Sequence, residues 1–281
     1  MALKPKVFIG ALGGSGTRAL AKLLIELNYF IGDDLNSPKD NLIFSRLFKN
    51  PKWYCKAREN DIYERIRIFN NYMTNDIFNP VELIKYFRFT RDNNTFISDN
   101  SHYKFIAKKY FNKKHVNKTW AFKEPNSLIY YDYFMNYFPE IKYIHVLRNG
   151  LDMAFSNNKN QLYNWGWLYN IEISKNETEE SLAKKQLKYW VETTKDIKNK
   201  SEKFPHRTLF VNHSNLLKKP INEIDKILTF LDINEIENVK NRLYNIPKDN
   251  GSLNRFREND LSIFDKDDVN YVQKNGFSTV K

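Results

Sequence analysis

Lys6-Val7-Phe8-Ile9-Gly10-Ala11-Leu12-Gly13-Gly14-Ser15-Gly16-Thr17-Arg18, continuing as Ala19-Leu20-Ala21-Lys22-Leu23-Leu24, decides how this chain folds. Val7, Phe8 and Ile9 form a short apolar run, a glycine-rich turn follows, and good helix formers begin after Thr17. The pattern predicts strand, loop, helix. Such a turn aims backbone N–H groups and the positive end of a helix dipole at one point, which suits a phosphate or another tetrahedral oxyanion. Taken alone, it fits equally a tight strand-to-helix connection that binds nothing.

The loop departs from the nucleoside-triphosphate pattern of Gly, four residues, Gly, Lys, then Ser or Thr. Counted from Gly10, the second glycine is Ser15; counted from Gly13, it is Arg18. No lysine follows Gly16, and no hydroxyl is placed for magnesium. A phosphotransferase on a degenerate loop therefore stands as an alternative that lacks its main cation.

Working outward, 281 residues are enough for one sizeable core, and a single domain over 1–281 is expected. No apolar run is long enough to span a membrane, and a strand so close to Met1 leaves no room for a secretory h-region, so a cytoplasmic protein is expected. The single cysteine, Cys55, excludes an internal disulfide framework and a cysteine metal cluster, and it reads as a small buried apolar residue. The formal charge of +12 favours anionic ligands. With no basic block or glycine-arginine tract, nucleic acid is not the expected partner.

Residues 36–118 read as a mostly helical segment inserted after the first helix, with Ile62, Ile66, Phe69, Tyr72 and Met73 at core spacing and Asn79-Pro80 starting a new helix. Trp120-Ala121-Phe122-Lys123-Glu124-Pro125 is a second strand closed by proline, and a helical pattern runs on to Pro139. Lys142 to Arg148 is a third strand, turned by Asn149-Gly150 into a helix that carries Asp152 and Ser156. Glu179 to Lys200 is a charged helix with Leu182, Leu187, Trp190 and Val191 inward. Thr208 to Asn212 is a fourth strand, and Pro220 to Leu231 another helix. Continuous apolar strands alternating with helices give an α/β fold with a central parallel sheet covered on both faces. In such sheets ligands sit beyond the carboxyl ends of the strands, so the Gly13 to Arg18 loop, Lys123 and Arg148 should share one edge.

Together, the Gly13 to Arg18 loop, Phe122-Lys123-Glu124-Pro125, Ile144 to Arg148 through Ser156, and Arg255-Phe256-Arg257 resemble a sulfotransferase that uses 3′-phosphoadenosine 5′-phosphosulfate (PAPS) and releases 3′-phosphoadenosine 5′-phosphate (PAP). The resemblance runs from about Lys6 to Phe277 and is weakest over residues 36–119. It implies the P-loop-like sulfotransferase fold and transfer of a sulfuryl group to a hydroxyl or amine without a metal. It further implies that Gly13, Gly14, Ser15, Gly16, Thr17 and Arg18 hold the 5′-phosphosulfate. Arg148 and Ser156 would take the 3′-phosphate, with Arg257 and Arg255 closing over it.

Lys123 is then the catalytic cation on the oxygen that bridges sulfur to phosphorus, and either His102 or Glu124 takes the acceptor's proton. His145, inside its strand, reads as a packed core residue, and His213 as a structural or capping one. Many members carry lysine or arginine where this loop has Gly14. That substitution keeps open a non-catalytic anion- or nucleotide-binding protein on the same fold. The acceptor is a small molecule, a carbohydrate or a peptide, met by the 36–118 segment.

Overall fold

A computed structural model describes residues 5–74, 80–91, 104, 106, 119–234, 237–248, 251 and 253–280. His102 and Asn79 lie outside the described residues.

The four expected strands form one parallel sheet: β1 (Val7–Ala11), β2 (Ala121–Lys123), β3 (Lys142–Leu147) and β4 (Thr208–Asn212), in the order β2-β1-β3-β4. Register pairs Ile9 with Lys123, Ala11 with Val146, and Leu147 with Asn212. The carboxyl ends of β1, β2 and β3 therefore share one edge. The chain leaves β1 toward β2 but leaves β3 toward β4, so the order reverses between β1 and β3, which is where open α/β sheets form their ligand crevice.

Alternation sorts the strand residues onto two faces. Val7, Ile9, Ala11, Ile144 and Val146 pack with Leu20, Leu24, Ile224 and Ile227, from α1 (Thr17–Glu26) and the helix Pro220–Phe230. Phe8, Phe122 and Tyr143 face the opposite way, into a larger aromatic layer. There the Phe8 ring lies 4.4 Å from Tyr143 and 5.4 Å from Phe134, and Phe44 lies 5.0 Å from Phe122. The helices Leu42–Phe48, Glu59–Thr74 and Tyr131–Tyr137 cover this layer, and Ile62, Ile66, Phe69, Tyr72 and Met73 are all buried as their spacing predicts. Asn41 starts the first of them by accepting the Phe44 N–H at 3.0 Å. Among the described residues no helix is long and apolar enough to cross a membrane.

Three details differ from the sequence expectation. Cys55 is exposed, at the end of the short helix Pro51–Tyr54, where Trp53 and Tyr54, not Cys55, pack on the aromatic layer. Leu182 is only half-buried on the long helix Glu179–Ser201, whose inner face is instead carried by Ala183, Leu187, Trp190 and Val191. The helix after β3 stops at Ala154, so Ser156 stands past its end rather than on it.

Candidate functional site

The Gly13 to Arg18 loop leaves the end of β1 and enters α1 through Gly16, whose φ of 82° is left-handed. A Cβ at Gly16 would lie 2.2 Å from His213 Cδ2, so both backbone conformation and space demand glycine. As the N-cap, Gly16 has no side chain to bond the first-turn N–H groups, and the ten-residue helix that begins at Thr17 directs its N-terminus at the loop. That is the arrangement that attracts an anion. Gln161 braces the turn: its Oε1 accepts the Gly13 N–H at 2.5 Å while its Nε2 donates to the Ala11 carbonyl at 3.2 Å. Ser15 and Thr17 are buried in the loop, and Gly14 and Arg18 are exposed. Ser156 comes close on the other side, its Oγ 3.8 Å from where a Gly14 Cβ would stand.

Arg148 crosses the crevice. It follows β3, is 4% exposed, and donates from Nη1 to the Gly14 carbonyl at 2.8 Å. Its carbonyl is held by the Trp190 indole N–H at 3.0 Å. One helical turn on, the Asp152 carboxylate lies 3.7 Å from Arg148 Nη2 and accepts backbone N–H groups of Asn254 and Phe256. The segment carrying Arg255 and Arg257 is thereby fastened beside Arg148. Phe256 is fully buried and anchors it, Arg255 is half-buried, and Arg257 is exposed.

At the end of β2 the chemistry differs. The Lys123 ammonium, 3% exposed, pairs with the Asp40 carboxylate, which Asn36 holds through its Nδ2 at 2.8 Å. Glu124 starts the 3₁₀ turn Pro125–Tyr130. Its Oε2 accepts the Asn126 N–H at 2.5 Å, its Oε1 accepts Asn126 Nδ2 at 2.8 Å, and Ser45 Oγ lies 3.5 Å from Oε1. Burial, and then the negative charge of Asp40, push its carboxyl up to about 7. His145 is buried in β3, bonded through Nδ1 to the Tyr143 hydroxyl at 2.8 Å. Burial pushes it down to about 3, which keeps it neutral and structural. His213 is the first residue of the helix His213–Lys218, which Asn212 caps, and its ring packs on Gly16.

The structure thus brings the loop, Arg148, Ser156 and the Arg255 to Arg257 segment to the β1/β3 crevice, with Lys123 and Glu124 at the adjacent strand end. Sequence reasoning missed Asp40 and Gln161, which no local pattern marks, and it gave Asp152 no task, although its i+4 spacing from Arg148 was the available signal. Among the described residues no group of three or more His, Cys, Asp or Glu could hold a metal ion.

A family model described as "Sulfotransferase family" matches residues 5–237. No curated protein matches the sequence. Among solved structures, sulfotransferase STF9 from Mycobacterium avium is similar over 100% of this chain and 78% of its own, at TM-score 0.50 and 12% identity. The sulfotransferase domain of the Synechococcus PCC 7002 olefin synthase aligns over 99% of this chain and 97% of its own, at TM-score 0.48 and 15% identity. A sulfotransferase from Alicyclobacillus acidocaldarius aligns over 98% and 96%, at TM-score 0.47 and 13% identity.

Proposed function

From the premise that this chain belongs to the sulfotransferase family, we propose that it transfers a sulfuryl group from PAPS to a hydroxyl or amine of a small-molecule, carbohydrate or peptide acceptor. The observation that carries this reading is the contact between Arg148 and the Gly14 carbonyl. It joins an anion-binding loop and a buried guanidinium across the crevice, matching a donor that carries one anionic group at each end of its ribose.

In this reading the N–H groups around Gly16, with Ser15 and Thr17, hold the phosphosulfate. Arg148 and Ser156 take the 3′-phosphate, and Arg255 and Arg257 close over it. Lys159, whose ammonium donates to the Ser156 carbonyl at 2.7 Å, brings positive charge to the side of the loop where Gly14 has none. The acceptor oxygen or nitrogen attacks sulfur, a new bond to sulfur forms, and the bond from sulfur to the bridging oxygen breaks. That oxygen leaves with PAP carrying the electron pair, and the acceptor's proton goes to a base. Lys123 stabilises the growing charge on the bridging oxygen once the donor draws its ammonium from Asp40. The base is either Glu124, the residue next to Lys123 and held near neutral pKa, or His102.

Calorimetry with PAP on the purified chain, followed by transfer of labelled sulfate from PAPS to a panel of phenols, sugars and peptides, tests the proposal. Micromolar PAP binding that Arg148→Ala weakens is the expected result. Absence of binding, or equal binding by wild type and variant, refutes the donor assignment. PAP binding without transfer to any acceptor would favour the non-catalytic binding protein, in which the Lys123–Asp40 pair stays closed.

A further inference from the structure

Asp152 poses an electrostatic puzzle. It is a carboxylate, 1% exposed, within 4 Å of the arginine assigned to a phosphate. A negative charge there works against a dianionic ligand unless it does something else. Its hydrogen bonds show what it does. Oδ2 accepts the Asn254 N–H at 3.1 Å and Oδ1 accepts the Phe256 N–H at 3.4 Å. Asn254 is the N-cap of the 3₁₀ turn Arg255–Glu258 and stands in left-handed backbone at φ 61°, yet its own side chain makes no capping bond. Asp152 does the capping from another element, far away in the chain. The Arg148 guanidinium lies against the same Oδ2 atom, so its charge offsets the cost of burying the carboxylate.

We propose that Asp152 is a positioning residue that sets the Arg255 to Arg257 turn over the crevice, beside Arg148. The linkage is continuous: Gly14 carbonyl to Arg148, Arg148 to Asp152, Asp152 to the N–H groups of Asn254 and Phe256. The inference rests on the donor reading above for its ligand, but the placement of the turn can be tested without that reading.

The test uses the full chain as wild type, Asp152→Asn and Asp152→Ala, with two probes: PAP, which has the 3′-phosphate, and adenosine 5′-phosphosulfate, which lacks it. Asparagine keeps the shape but offers one acceptor where two N–H groups arrive. Asp152→Asn should weaken PAP about tenfold, the worth of one hydrogen bond to a charged group. Adenosine 5′-phosphosulfate should change less than about twofold. Trypsin should cut after Arg255 and Arg257 faster in the variant at a temperature where both proteins stay folded by circular dichroism. Equal weakening of both probes, or unchanged cleavage at the two arginines, overturns the proposal. If wild type binds neither probe, the donor reading has failed, and the cleavage rates alone decide whether Asp152 places the turn. Should Asp152→Ala fail to fold, Asp152→Asn carries the same comparison.

Discussion

The two ends of the crevice are built by different means. Around Arg148 the polar side chains grip backbone: Arg148 takes the Gly14 carbonyl, Gln161 takes Gly13 and Ala11, and Asp152 takes Asn254 and Phe256. At the end of β2, side chains chiefly grip side chains: Lys123 meets Asp40, and Glu124 meets the Asn126 and Ser45 side chains in addition to the Asn126 N–H. Backbone contacts fix loops in place and suit a site that must hold a ligand in one pose. Side-chain pairs exchange partners at low cost in backbone strain, and they suit groups whose charge must be released or shared as a reaction proceeds.

The largest test of this contrast is Lys123→Ala, expected to lower the sulfuryl-transfer rate by about 10²-fold or more with little change in PAP affinity. Because Asp40 is then left beside an emptied site, the Lys123→Ala, Asp40→Asn pair serves as the folding control. A loss of affinity as large as the loss of rate would erase the distinction between the ends.

Next comes pH. In the folded chain Glu124 holds its proton up to about 7, against 4.5 when exposed. Its contribution to stability is therefore complete below about 4.5 and is lost as pH rises through 7, by roughly 3 kcal/mol at most. Urea midpoints at pH 5 and pH 8 should diverge less in Glu124→Gln than in wild type, and parallel curves would show that this carboxyl is not the source.

Arg148→Ala should weaken PAP by about tenfold to a hundredfold, with the exposed Arg257→Ala costing less. The reverse ranking would move the ligand outward, away from the buried arginine. Smallest is Gly16→Ala, expected to lower stability by about 1 kcal/mol or somewhat more, since alanine is strained at φ 82° and meets His213. Thermal melts of Gly16→Ala alone and with His213→Ala measure how much of that is the ring.

The sheet was legible from sequence because each strand announces itself locally, in three to six mostly apolar residues ended by glycine, asparagine or proline. That the loop, Lys123 and Arg148 share one edge was legible for the same reason: parallel strands place their own carboxyl ends together without further information. What sequence hid was contact between distant segments. Asp40 lies in a polar turn with nothing to mark it as the partner of Lys123. Cys55 was assigned to the core on a general burial trend that the short Pro51–Tyr54 helix does not obey. Ser156 left its helix because the chain turns early to set Asn158 against the loop, where a Gly13 Cβ would meet its Nδ2 at 2.8 Å.

The ring of His213 against Gly16 has a consequence for descent. A mutation that adds bulk to the loop at 16 meets an obstacle contributed by the first residue of the helix after β4, far along the gene, so the two codons are not free to drift separately. Lineages that shrink residue 213 first gain room at 16, though the left-handed turn still penalises anything but glycine. The loop's composition is thus guarded twice, once by its own backbone and once by a neighbour, and the second guard is the one that inheritance can remove.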